Sequence, residues 1–104
     1  MSFSEKRLFS YGNITRVPDD HFGIYMIWRK KRCIYVGEST EQSLRTRLMN
    51  HYNNCHNPCL KDWIKSSFPL TFSYKVGTDK KLTKEEEKVL IKRMRTDCNK
   101  KDNV

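Results

Sequence analysis

The chain has 104 residues, with 21 Lys and Arg against 12 Asp and Glu, giving a formal net charge of +9. At 37% hydrophobic, 32% charged and 12% aromatic residues it is too aromatic for a disordered chain and too polar for a membrane protein, and its length fits one domain with a single core. The charge makes a polyanion the expected partner, nucleic acid ahead of an anionic membrane surface, because no basic amphipathic helix with an aromatic face is evident.

Residues 1–20 read as a polar, basic lead-in whose Phe3, Leu8, Phe9 and Tyr11 let it lie against the body. No secretory leader pattern opens it, so a cytoplasmic location is expected. The longest apolar run, Phe22 to Trp28, falls far short of the roughly 20 residues of a membrane-spanning helix. That run, the basic patch Arg29, Lys30, Lys31 and Arg32, and then Cys33 to Gly37 read as a β-hairpin. Phe22, Ile24, Met26, Trp28, Ile34 and Val36 are all large and apolar and share even numbering. If that set forms the buried face of both strands, paired positions sum to an even number. The simplest hairpin then loops over residues 29–31 and sets Tyr25 opposite Tyr35, both phenols outward.

Ser39-Thr-Glu-Gln42 has the form of a capping box opening a helix, with Leu44, Leu48 and Tyr52 as its buried stripe. Arg47 and His51 stack one turn apart at the edge of that stripe. Asn57-Pro58 is a cap and first-turn pair for a short helix with Leu60, Trp63 and Ile64 facing in. Strict alternation of Leu70, Phe72, Tyr74 and Val76 predicts a half-buried strand. Thr83-Lys-Glu-Glu86 reads as a second capping box, with a helix running to about residue 96, and residues 100–104 read as a frayed end. On that helix Glu87 shares a stripe with Leu90, Ile91 and Met94. A carboxylate turned toward a core needs a cationic partner, which leaves two readings: a salt bridge to an arginine such as Arg47, or a metal ligand.

Cys33, Cys55, Cys59 and Cys98 are expected to be free thiols in a chain without a secretion signal. The spacing of His51, Cys55, His56 and Cys59 raises a zinc site or a zinc-stabilised interaction module, against the plainer reading of a polar loop with buried thiols; zinc is not expected.

These residues resemble the GIY-YIG nuclease superfamily. Gly23-Ile24-Tyr25 is followed after nine residues by Tyr35-Val36-Gly37. Arg47-Leu48 and His51 then fall on the next helix, Glu87 stands before Leu90-Ile91, and Asn99 follows three turns on, so the likeness spans residues 22–99. Arg45 competes with Arg47 for the arginine role, Glu38 stands where several relatives have a lysine or a small residue, and no proline precedes Asn99. The resemblance implies an α+β fold, a three-stranded antiparallel sheet flanked by helices in the order β-β-α-α-β-α. It makes residues 21–99 a nuclease domain between the lead-in and the frayed end.

By the same resemblance the chain is expected to be an endonuclease hydrolysing phosphodiester bonds in DNA, with RNA left open, using one Mg2+ or Mn2+ held by Glu87. Tyr25, Tyr35, Arg47, His51, Glu87 and Asn99 form the catalytic set. Tyr25 is the expected base, with His51 as its partner and also its rival, since an imidazole titrates nearer neutrality. Gly23 and Gly37 leave room for backbone or substrate. Phosphate contacts fall to Arg29, Lys30, Lys31, Arg32, Arg45, Lys92, Arg93 and Arg95, and specificity to loops, a homodimer or a partner protein. The alternative is a basic nucleic-acid-binding module of the same fold that has lost turnover.

Overall fold

A computed structural model describes residues 2–99; the expected frayed end at 100–104 lies outside them. The elements are β1 (Arg7–Leu8), α1 (Tyr11–Ile14), β2 (Gly23–Arg29), β3 (Arg32–Glu38), α2 (Leu44–Asn54), α3 (Pro58–Lys65), β4 (Thr71–Val76) and α4 (Lys80–Met94). They build an α+β fold around one antiparallel sheet of four strands, ordered β1-β4-β2-β3. The expected three strands gain a fourth from the lead-in. Ser4 N–H donates to Tyr74 O and Phe9 N–H to Leu70 O, which satisfies the otherwise open edge of β4. A two-residue strand carries no alternation long enough to read from sequence.

The hairpin keeps its even sum but not its expected partners. Tyr25 lies opposite Gly37, and Tyr35 opposite Ile27. The register then slips by one beyond Ile27, so that Trp28 faces Cys33 and Arg29 faces Arg32 across the two-residue turn Lys30-Lys31. A β-bulge absorbs the extra residue and reverses which side chains face which side. Cys33, not Ile34, therefore joins Ile24, Met26 and Val36 on the face covered by Leu90 and Ile91 of α4. Ile34 joins Tyr25, Ile27 and Phe72 on the opposite face, packed by Leu44, Leu48 and Leu60 from α2 and α3. Both faces of the central strands are thus covered, and Tyr25, expected with its phenol outward, is fully buried.

In the lead-in, Phe3 and Phe9 pack against the two clusters as expected, whereas Leu8 and Tyr11 are exposed. Ile14 and Val17 anchor it instead, both buried. The helix caps also move. Ser43 caps α2 by accepting from Thr46 N–H, because Ser39 Oγ is engaged with Gly23 N–H at 3.1 Å. Asp79 caps α4, and Thr83 lies inside the helix donating back to Asp79 O. Tyr52 is exposed, and His51 takes the third buried position on α2 beside Leu44 and Leu48. Asn57 caps α3 as predicted, with Pro58 in the first turn.

The thiols divide. Cys33 and Cys55 are free and buried, but Cys59 and Cys98 form a disulfide, which corrects the expectation of four free thiols and removes Cys59 from any zinc set. A pairing across two elements leaves no local spacing to read. The bridge spans 39 residues of sequence, for which chain entropy predicts about 3–4 kcal/mol of stabilisation. A thiol reductant, or Cys59→Ser, is expected to lower the urea midpoint accordingly; a midpoint indifferent to reductant would show that the bridge contributes nothing in solution.

Candidate active site

Beside β3 lies a cleft of about 730 Å³. Its walls come from β3 (Tyr35), α2 (Arg47, His51), the start of α3 (Cys59), α4 (Glu87) and the segment that follows α4 (Asn99). Residues as far apart in sequence as Tyr35 and Asn99 converge here because α2 packs on one side of the hairpin and α4 on the other.

Tyr25 lies just behind this wall. Its Oη is 2.6 Å from His51 Nε2, deep in the core. Three rings close on one another: Tyr25 and His51 centroids are 5.5 Å apart, Tyr35 and His51 5.2 Å, Tyr25 and Tyr35 6.2 Å. On its other side His51 Nδ1 is 3.5 Å from Cys55 Sγ. A neutral ring whose Nε2 accepts from the phenol and whose Nδ1–H faces the thiol satisfies both nitrogens. Cys55 follows His51 by one helical turn, a proximity visible in the sequence, and its thiol meets the ring at Nδ1.

Gly37 makes this possible. A Cβ there would run into the Tyr25 phenol, which crosses the strand directly opposite. A Cβ on Gly23 would collide with the Lys75 carbonyl of β4. The two glycines of the motif are therefore both close-approach positions, one under a side chain and one against backbone.

Burial pushes the Tyr25 hydroxyl well above its usual range, and the neighbouring Tyr35 phenol adds to this; Arg47 opposes it. Tyr35 is raised too, chiefly by burial. Burial, and then Arg47, bring His51 down from 6.5 to about 4. The folded pKa lies below the unfolded one, so the unfolded chain takes up the proton first as pH falls. The contribution of neutral His51 is complete above pH 6.5 and drains away toward pH 4, by about 3 kcal/mol at 1.36 kcal/mol per unit. Urea midpoints at pH 7 and pH 4.5 should therefore fall more steeply for the wild type than for His51→Gln; equal slopes would contradict the buried neutral imidazole.

Asn99 is buried and grips β3. Its Oδ1 accepts from Val36 N–H at 2.9 Å and its Nδ2 donates to Val36 O at 3.0 Å, so the carboxamide pairs with the strand as a neighbouring peptide would. Thr96 Oγ1 donates to the same Oδ1, Cys98 N–H donates to Ile34 O, and Asn57 Nδ2 donates to Cys98 O. Residues 96–99 thereby close the free edge of β3 between the two site residues Tyr35 and Gly37. Asn57, read from sequence only as a cap, is also a brace for this strap.

Arg47 lines the cleft. Arg45 does not: its Nε donates to Val17 O at 2.8 Å, tying α2 to the lead-in. The other basic residues lie outside the cleft too. Arg29, Lys30, Lys31 and Arg32 sit at the hairpin tip, and Lys92, Arg93 and Arg95 project from the exposed end of α4. Glu38 turns its carboxylate back to the Thr40 hydroxyl at 2.9 Å.

Among the described residues no group of three or more His, Cys, Asp or Glu stands together as a metal cage. The donor set nevertheless fits magnesium, which commonly takes one or two carboxylates and completes its shell with water and substrate phosphate. Glu87, half-buried on the cleft wall, would supply such an oxygen.

A family model described as the GIY-YIG catalytic domain matches residues 21–102, most of the chain. The chain belongs to the GIY-YIG family. A comparison with curated proteins found no match. GIY-YIG domains are generally endonucleases, hence hydrolases acting on DNA, and typically use a divalent metal such as Mg2+. In this member both tripeptides lie on the central hairpin, and no helix among the described residues is long and apolar enough to cross a membrane.

Proposed function

We propose that this GIY-YIG domain is a divalent-metal-dependent endonuclease that hydrolyses phosphodiester bonds in DNA. The observation that supports it is the convergence of Tyr35, Arg47, His51 and Glu87 on one cleft, with Tyr25 bonded to His51 behind them. Glu87 would hold the metal, which when bound stabilises charge on the phosphoryl oxygens and the leaving oxygen. One carboxylate suits a one-metal site, and one such site cuts one strand.

The chain's own residues do the rest. Arg47 forks onto a phosphate oxygen as its charge grows. Tyr35, the phenol that faces the cleft, positions the attacking water. Tyr25 is fully buried and its hydroxyl is held well above neutrality, so a preformed tyrosinate is not the base. Tyr25 acts instead as a relay, passing its proton to neutral His51 as it receives one from the Tyr35 side. Water oxygen bonds to phosphorus, the bond to the leaving oxygen breaks, the water's proton reaches the imidazole, and the leaving oxygen takes a proton from solvent, to which His51 then returns its own. Asn99 is a positioning residue that acts through β3.

The test is nicking of supercoiled plasmid with Mg2+ or Mn2+. Strand breaks that EDTA abolishes are expected. Binding without nicking under every metal condition would favour the inactive nucleic-acid-binding module.

A further inference from the structure

The basic patch at the hairpin tip divides into two kinds of residue. Arg32 is occupied by structure: its Nε donates to Asp97 Oδ1 at 2.8 Å and its Nη2 to Arg95 O at 3.4 Å. Arg29 and Lys30 meet rings instead. The Arg29 guanidinium carbon stands 4.9 Å from the centroid of Trp63 and 5.3 Å from that of Phe68, and Lys30 Nζ is 5.6 Å from Phe68. The rings themselves meet edge to face at 6.0 Å. Arg29 Nε is buried without a hydrogen-bond partner, and none of the described ion pairs involves Arg29 or Lys30.

A guanidinium held against two aromatic rings has little freedom left to lose, and with Nε shielded its Nη donors remain for an anion. Cations interleaved with aromatic rings suit an unpaired nucleic-acid strand, which offers phosphates to the cations and splayed base faces to the rings and the guanidinium plane. A duplex keeps its base faces stacked inside and can offer only phosphates. The cluster and the cleft also share a helix. Trp63 lies on α3, whose first residues Pro58 and Cys59 line the cleft. The helix rise from Pro58 to Trp63 is about 7–8 Å, on the order of one or two nucleotides of strand.

We infer that Arg29, Lys30, Trp63 and Phe68 form a binding site for unpaired nucleotides flanking the phosphate that is cut, so that the preferred substrate carries a single-stranded segment. The inference takes its scissile phosphate from the nuclease reading above, but the binding site stands or falls separately. The test uses the full chain carrying Glu87→Gln, in EDTA, so that binding is read without cleavage. A labelled oligo-dT strand is compared with a hairpin duplex of equal length at the same salt. In a Trp28→Phe background Trp63 is the remaining tryptophan and reports stacking.

Expected are quenching of Trp63 by oligo-dT, at least tenfold tighter binding of oligo-dT than of duplex, and a five- to tenfold loss for oligo-dT in Arg29→Gln and Phe68→Leu, with duplex binding within twofold in Phe68→Leu and weakened less than oligo-dT binding in Arg29→Gln. Lys30→Gln, at an exposed turn residue, keeps the test open if Phe68→Leu fails to fold. Equal affinity for the two ligands, no quenching, or equal weakening of both would overturn the inference and leave a plain phosphate contact. Failure of plasmid nicking alongside intact oligo-dT binding would sink the nuclease reading and not this one.

Discussion

Tyr25→Phe is expected to leave a folded protein that binds DNA normally and nicks it at least a hundredfold more slowly. The substitution removes one oxygen from a fully buried residue and keeps the ring that lies over Gly37, losing there only the hydroxyl oxygen. It leaves His51 Nε2 without its 2.6 Å partner, an unsatisfied buried acceptor costing about 1–3 kcal/mol of stability. Positioned proton transfer is worth about 10²–10⁴ in rate, so the kinetic loss far outruns any loss of folded protein. Single-turnover nicking, with anisotropy for binding and a urea midpoint for folding, separates these effects. Turnover within about threefold of wild type would remove Tyr25 from the proton path and leave Tyr35 with His51 as the working pair.

Glu87→Gln is the second large effect. It keeps size and shape on the cleft wall and removes the charge that a divalent ion needs. Nicking is expected to fall by about a thousandfold, the scale lost when a preorganised electrostatic group is removed from a site. Glu87 lies close enough to Tyr25 and Tyr35 that its charge helps hold both hydroxyls up. Removing the charge therefore eases both phenols downward, so the variant cannot lose activity through a less acidic tyrosine. Calorimetric titration with Mg2+ should show binding to the wild type and none to Glu87→Gln over the same range. Unchanged metal binding with lost nicking would reassign Glu87 from ligand to partner of the cleft's cationic residues.

The sequence carried the parts of the site because each signal was local. The two tripeptides, the Asn57-Pro58 cap, the alternation of the last strand and the acid among Leu90, Ile91 and Met94 are all short patterns within one element. It could not choose between Arg45 and Arg47. Residues two apart on a helix differ by about 200° in direction, and only the packed helix shows which points to the cleft and which to Val17. Nor could it set the hairpin register. Lys30-Lys31 has none of the Asn-Gly or Gly-Gly chemistry that marks a two-residue turn, and Lys30 adopts a φ of 54° without glycine's help. The bulge past Ile27 then exchanged Cys33 and Ile34 between faces.

What the sequence determined by itself was the inventory: a small basic domain, a hairpin bearing both glycine and tyrosine motifs, and an acid and an arginine on separate helices. Tertiary structure decided how these meet. It laid Tyr25 across Gly37 onto His51, joined Cys59 to Cys98, and used Asn99 to close the edge of β3. Each of these is a contact between residues far apart in the chain, fixed by which groups fill the remaining space and hydrogen-bonding capacity once the sheet has formed, and no pattern within a single element encodes that.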